Sequence, residues 1–156
     1  MFRFVPRTAQ TDYVTFARGP APRACFSAIG RQGGEQFVYL TASGSCSQRT
    51  LVHEIGHTVG LWHEHSRSDR DAWVKVNYSN VLDGQAYNFG KTGTASRRDG
   101  PYDYCSVMHY GAYAFSKNRR PTLQLLQPSR CAQAIGWAEG LSRGDVAAAK
   151  RLSGSR

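Results

Sequence analysis

No apolar run in this chain is long enough to cross a bilayer as a helix, so a helical membrane span is excluded. The longest uncharged stretches are broken by Gly, Ser and Gln. Cys25, Cys46, Cys105 and Cys131 form no C-x-x-C pair, which argues against a zinc knuckle or a thioredoxin-like site. The opening Met1-Phe2-Arg3-Phe4-Val5-Pro6-Arg7 has neither a long apolar core nor a small-residue cleavage site, and so does not read as a signal peptide. Internal repeats and low-complexity segments are absent. Acidic residues are scarce: eleven Asp and Glu stand against twenty Lys and Arg, a formal charge of +9. Such a surplus can serve nucleic acid, membrane surfaces or acidic substrates. Here the basic residues are scattered, and the run Lys117-Asn118-Arg119-Arg120 has no aromatic platform beside it. The charge therefore reads as a solvated surface, with an acid-preferring substrate groove as the alternative, and not as a nucleic-acid or membrane interface.

What is present suits one globular domain. The chain has 156 residues, 40% of them hydrophobic and 12% aromatic. That is enough to bury a core without help from a metal. An even cysteine count fits two disulfides in an oxidising compartment, hence a secreted protein whose signal peptide lies outside this chain. Three pairings are open on spacing alone.

The first 41 residues read as strands: Phe2–Val5, Tyr13–Arg18, Cys25–Ile29 and Gln36–Leu40, punctuated by Pro6, Gly19 to Pro22 and the Gly30–Gly34 connection. A helix is predicted from about Ser47 to Val59. Ser47 is a fitting N-cap, and Leu51, Ile55 and Val59 recur four apart. Gly60 stands where a glycine ends a helix. From there to Tyr104 the expectation is irregular structure, with short helices near 79–82 and 83–88. A last helix starts after Ser142, with Asp145 completing an approximate capping box.

The chemistry sits on the first helix. His53-Glu54-Ile55-Gly56-His57 is H-E-x-x-H. Side chains four apart lie one above the other on a helix, so two imidazoles reach one ion together. Gly60 and His63 extend the pattern to H-E-x-x-H-x-x-G-x-x-H. A third ligand on the same helix would lie at the wrong angle. A turn at Gly60, which tolerates positive φ, brings His63 back. Three protein ligands with an open position define a catalytic zinc site. The residues thus point to Zn2+ held by His53, His57 and His63, and to Glu54 as general base and acid. A zinc-bound water would attack a peptide carbonyl.

With His63 in place the sequence resembles a metzincin peptidase. His63-Glu64-His65-Ser66-Arg67-Ser68-Asp69-Arg70-Asp71 resembles the extended zinc signature of the astacin family, and Ser106-Val107-Met108-His109-Tyr110 resembles its Met-turn. Arg3–Arg7, Asp12–Val14 and Val76–Tyr78 are also similar to family segments. The resemblance implies an α+β, metzincin-like domain with two subdomains. A mixed twisted sheet and the zinc-site helix would lie above the cleft (about 1–62), and an irregular part with a C-terminal helix below (about 63–156). It implies Tyr110 as a catalytic tyrosine that hydrogen-bonds the oxyanion, Met108 as an apolar floor and Glu64 as a buried carboxylate under the site. His65 and His109 are expected to be structural. Cys25 pairs with Cys46 in the family, which leaves Cys105 with Cys131. Phe26 and Ser27 would lie on an edge strand where a substrate adds antiparallel.

The chain departs from the pattern at its N-terminus. A strand and a helix precede Arg-Phe-Val-Pro in the family catalytic domain, so the chain reads as truncated there. The cysteines of a further family disulfide are missing. The implied function is a secreted, monomeric metalloendopeptidase acting on proteins or peptides. The alternative is a truncated, inactive zinc-binding domain that binds proteins. Lys117, Arg119, Arg120, Arg130 and Arg143 either point into solvent or make the primed side of the groove basic, the latter as the resemblance to acid-preferring family members implies.

Overall fold

The computed structural model describes residues 3–21, 24–93, 100–132 and 135–154. Strand β1 (Tyr13–Arg18) and strand β3 (Glu35–Leu40) form as the alternating pattern predicts. They pair in parallel, with Tyr13 opposite Glu35 and Arg18 opposite Leu40. Strand β2 (Phe26–Ser27) is shorter than the predicted Cys25–Ile29 segment and pairs antiparallel to β3. The sheet order is β1-β3-β2, which leaves β2 at one edge. Gly33 and Gly34, both at positive φ, make the turn between β2 and β3. Arg3–Val5 form no strand, and Phe2 lies outside the described residues, as does Pro22. The exposed Phe4 ring instead lies 6.4 Å from Phe16 of β1.

Helix α1 spans Gln48–Thr58. Ser47 caps it, its hydroxyl accepting from Thr50 N–H at 3.1 Å. Gly60 at φ +103° ends it, with Gly60 N–H donating to His57 O. The deeply buried positions of α1 are Glu54, Gly56 and His57, whereas Leu51 and Ile55 of the predicted apolar stripe are only half-buried. The motif face is deeper because it rests on the Met-turn. Met108, fully buried, fills the space beside Gly56.

Beyond Leu61 the chain is largely irregular, as expected. Short 3-10 turns at Tyr78–Asn80 and Ala86–Phe89 stand near the two predicted short helices. Two more, at Glu64–Ser66 and Arg70–Ala72, had no sequence signal. Strands β4 (Val74–Val76) and β5 (Leu123–Leu125) form an antiparallel pair that the sequence reading does not anticipate. Each has three residues, too few for alternation to register. Helix α2 (Arg143–Gly154) follows Ser142. Ser142 and Asp145 exchange the expected reciprocal bonds: Asp145 N–H to Ser142 Oγ at 2.9 Å and Ser142 N–H to Asp145 Oδ2 at 3.0 Å.

Two apolar clusters hold the molecule. One packs Val74, Val81, Phe89, Tyr102, Tyr104, Leu123 and Ile135 in the irregular part. The other joins Leu61, Val107 and Met108 to Ala148 and Ala149 of α2, with Val52 and Val59 of α1 against it. Disulfides link Cys25 to Cys46 and Cys105 to Cys131, with Cα separations of 6.5 and 5.4 Å. The first is the pairing the resemblance implied, and the second is the one it left by elimination. Among the described residues, no helix is long and apolar enough to cross a membrane.

Candidate metal centre

His53 and His57 project from α1 on the same face, and the turn at Gly60 returns His63 to them. His63 Nε2 lies 3.2 Å from both His53 Nε2 and His57 Nε2. His53 Nδ1 donates to Val107 O and His57 Nδ1 to Leu61 O, each at 2.8 Å. Those bonds place the ring proton on Nδ1, so both Nε2 atoms direct lone pairs inward. With His63 Nε2 at the same point, the three nitrogens are placed to share one cation. Tetrahedral zinc with bonds of about 2.0–2.1 Å would set nitrogens roughly 3.3–3.4 Å apart. The observed spacing fits such an ion, and the all-imidazole donor set is one zinc favours. Among the described residues this is the one group of three or more potential ligands that converges.

The other two histidines are held elsewhere. His65 is fully buried, with Nε2 bonded to Asn88 O at 3.1 Å. Burial pushes its pKa down to about 3, so it stays neutral. His109 donates from Nδ1 to Tyr110 O and accepts from Tyr102 Oη, both at 2.7 Å.

Glu54 is buried beside the triad but is not part of the converging set. Ser27 Oγ donates to Glu54 O at 2.7 Å and lies 3.2 Å from Oε2. Within the protein scaffold alone, burial pushes the Glu54 carboxyl up to about 7, and the Ser27 contacts pull partly against it. The Tyr110 ring lies 4.8 Å from His63 and stacks on His65 at 3.9 Å. Burial raises its phenol above the usual range, with Tyr87 and Glu54 adding to the shift.

The support beneath is continuous. Asp145, fully buried on α2, accepts from Ser106 Oγ at 2.6 Å and Val107 N–H at 3.0 Å. Val107 O in turn holds His53. Glu64 is fully buried and accepts from Asp103 N–H at 2.8 Å and Arg67 Nη1 at 3.2 Å. Arg67 also makes a two-point bond to Asp69, at 2.8 and 2.7 Å.

A Cβ added to Gly56 would lie 2.5 Å from Met108 Sδ. We expect Gly56→Ala to lose about 1–3 kcal/mol through overpacking, against a gain of roughly 1 kcal/mol in helix propensity. Because Gly56 adjoins His57 on α1, a shift of the helix there should lower zinc affinity together with the melting temperature. Unchanged affinity in a chelator competition would show that Met108 does not brace the site.

A cleft of about 960 Å³ opens over this centre. Phe26 and Ser27 of β2 line one wall; Tyr110, Gly111, Tyr113, Gly136 and Trp137 line the other. Of the two readings of the basic residues after the Met-turn, the groove lining is not seen. Lys117 pairs with Asp83 at 3.0 Å, Arg119 and Arg120 point into solvent, and Arg130 and Arg143 border a separate cavity beneath Glu64. They follow the Met-turn in sequence, but the chain carries them away from the cleft. Among the described residues, Arg49 is the Lys or Arg side chain that lines the cleft, and the sequence reading passed over it. Its signal was available: positions 49, 53 and 57 share one helix face.

A sheet edge above three converging histidines, with a methionine floor below, defines a metal cleft of the H-E-x-x-H class. The model of the astacin peptidase family matches residues 1–153, and the chain belongs to that family. It is 40% identical over 152 residues to zinc metalloproteinase nas-6 of Caenorhabditis elegans, covering 96% of this chain and 43% of that protein. It is 38% identical over 146 residues to high choriolytic enzyme 2 of Oryzias latipes, covering 92% and 50%. Among solved structures, high choriolytic enzyme 1, a hatching enzyme zinc-protease of Oryzias latipes, superposes with a TM-score of 0.84 at 35% identity. That match covers 99% of this chain and 74% of the other. The chain spans half the length or less of the two sequence relatives.

Proposed function

We propose that this domain is a zinc-dependent endopeptidase, with His53, His57 and His63 as the metal ligands and Glu54 and Tyr110 as the catalytic residues. The observation that carries the reading is the 3.2 Å convergence of imidazole nitrogens at the floor of an open cleft. Zinc, when bound, supplies Lewis acidity toward a peptide carbonyl and toward water. Glu54 takes the proton from the attacking water and later delivers it to the leaving amine. Tyr110, a hydroxyl donor in the cleft wall, stabilises the charge that grows on the carbonyl oxygen. The substrate strand adds antiparallel to the free edge of β2.

The division into an upper subdomain to about residue 62 and a lower one beyond it belongs to this proposal. So do protein or peptide substrates, a monomeric state and an extracellular location, the last supported by the two disulfides. The protein-binding alternative needs neither Glu54 nor Tyr110 in the cleft.

The purified protein should hold one zinc per chain, and chelation should abolish peptide cleavage that returns on adding zinc back. Folded protein that binds less than about half an equivalent in a zinc titration would overturn the ligand assignment.

A further inference from the structure

Phe115 holds its backbone at φ +52°, in the left-handed region that bulky side chains rarely enter. It is the third residue of the turn Tyr113–Ser116, which Ser116 N–H closes by donating to Tyr113 O at 3.1 Å. A positive φ at that position ordinarily calls for Gly or Asn. The neighbouring chain fixes the turn from outside. Leu82 N–H donates to Phe115 O at 2.8 Å, Lys117 N–H donates to Asn80 O at 2.9 Å, and Ser116 bridges antiparallel to Val81. Glycine would make the same bend without strain. A strained conformation persists only where its surroundings over-determine it, so the strain is offset by what the ring touches.

The Phe115 ring meets two others. Its centroid lies 6.2 Å from that of Phe89, which is fully buried, and 5.7 Å from that of Tyr110. The residue stays 36% exposed, so its own burial is incomplete. It does not line the cleft, whereas Tyr110 does. Tyr110 is bounded by rings. His65 stacks on it at 3.9 Å, Phe89 meets it nearly edge-on at 6.1 Å, and Phe115 stands beside it with the planes tilted by 47°. Among the described residues the Tyr110 hydroxyl makes no hydrogen bond. Ring packing, and not a hydrogen bond, then sets where that hydroxyl points.

A donor aimed at a developing charge is effective when it is already in place, and a misplacement of about 1 Å can cost up to roughly a hundredfold in rate. His65 is buried and tied to Asn88 O, so one of the rings against Tyr110 is itself immobile. Phe115 is held just as firmly, by its turn. We propose that Phe115 is a positioning residue: its left-handed turn sets the ring against Tyr110 and, with His65, keeps the Tyr110 hydroxyl in a single orientation in the cleft wall. Because Phe115 does not line the cleft, it acts through Tyr110 and touches no substrate. The consequence for turnover rests on the peptidase reading; the orientation of Tyr110 does not.

Phe115→Leu should lower kcat about tenfold, with KM within about twofold of wild type and zinc content unchanged. Phe115→Tyr, which keeps the ring, should hold kcat within about threefold. In a Tyr110→Phe background the Phe115→Leu change should cost less than about twofold, because the hydroxyl to be placed is gone. A ring that only fills the core would instead lower the melting temperature and leave kcat per folded, zinc-loaded molecule alone. Where Phe115→Leu does not fold, Phe115→Gly keeps the positive-φ turn and carries the same comparison. Crystal structures of the zinc-loaded wild type and variant give a readout apart from activity. They should show one Tyr110 orientation in the wild type, and several, or a hydroxyl displaced by about 1 Å or more, in the variant. The inference is overturned by a kcat within about twofold of wild type in the variant, by an equal loss in the Tyr110→Phe background, or by an unmoved Tyr110. If the folded, zinc-loaded wild type cuts nothing, the peptidase reading fails, and the orientation of Tyr110 in the two structures still decides the role of Phe115.

Discussion

Glu54→Gln should bind zinc as wild type does and cleave casein about a hundredfold to ten-thousandfold more slowly, the range that a positioned general base contributes. The substitution keeps the volume of the side chain and its contact with Ser27. It removes only the capacity to take a proton. Glu54 lies outside the set of three converging nitrogens, so metal content should not change. Zinc content and kcat measured on the same preparation separate the two roles. Turnover within about threefold of wild type would remove Glu54 as the base; loss of zinc would make it a ligand.

The largest effect on stability is expected at Arg67. Its side chain is 4% exposed and faces the fully buried carboxylate of Glu64. It also bonds Asp69 at two points, Gly100 O at 3.1 Å and Pro101 O at 3.4 Å. Arg67→Met keeps much of the apolar stem but withdraws the countercharge. Breaking one side of a buried pair costs about 3–5 kcal/mol, because the remaining carboxylate stays buried. For a domain of this size that corresponds to a melting temperature roughly 10 °C lower. The double variant Glu64→Gln/Arg67→Met should recover much of the loss, since neither charge is then stranded. A single variant that melts within about 2 °C of wild type would show that the pair is not what holds the floor of the site.

The triad was legible because its geometry is local. His53 and His57 are set by helix periodicity, and the turn that returns His63 requires a positive φ, which Gly60 supplies. The same holds for the caps at Ser47 and Ser142, where one side chain reaches one nearby amide. β4 and β5 were not legible: Val74–Val76 and Leu123–Leu125 are short, lie 47 residues apart at closest approach in sequence, and pair only because the intervening chain folds back. The parallel partnership of β1 with β3 was hidden for a related reason. Alternation marks a strand but not its neighbour. The groove reading of the basic residues after the Met-turn fails because proximity in sequence to Tyr110 does not imply proximity to the cleft. Arg49 was overlooked although its spacing was plain, since charge on a helix face usually means a solvated face. Burial decides that question, and burial is a tertiary property.

Asp145 gives the far end of the chain a stake in the metal. One carboxylate starts α2, fastens Ser106 and Val107, and through Val107 O fixes the proton on His53. Binding an ion that demands this tautomer therefore favours the seated form of α2, and by reciprocity a seated α2 tightens the ion. Zinc loss should then be felt as fraying at the C-terminus, some ninety residues away in sequence, and the last helix would act as a gauge of whether the centre is filled.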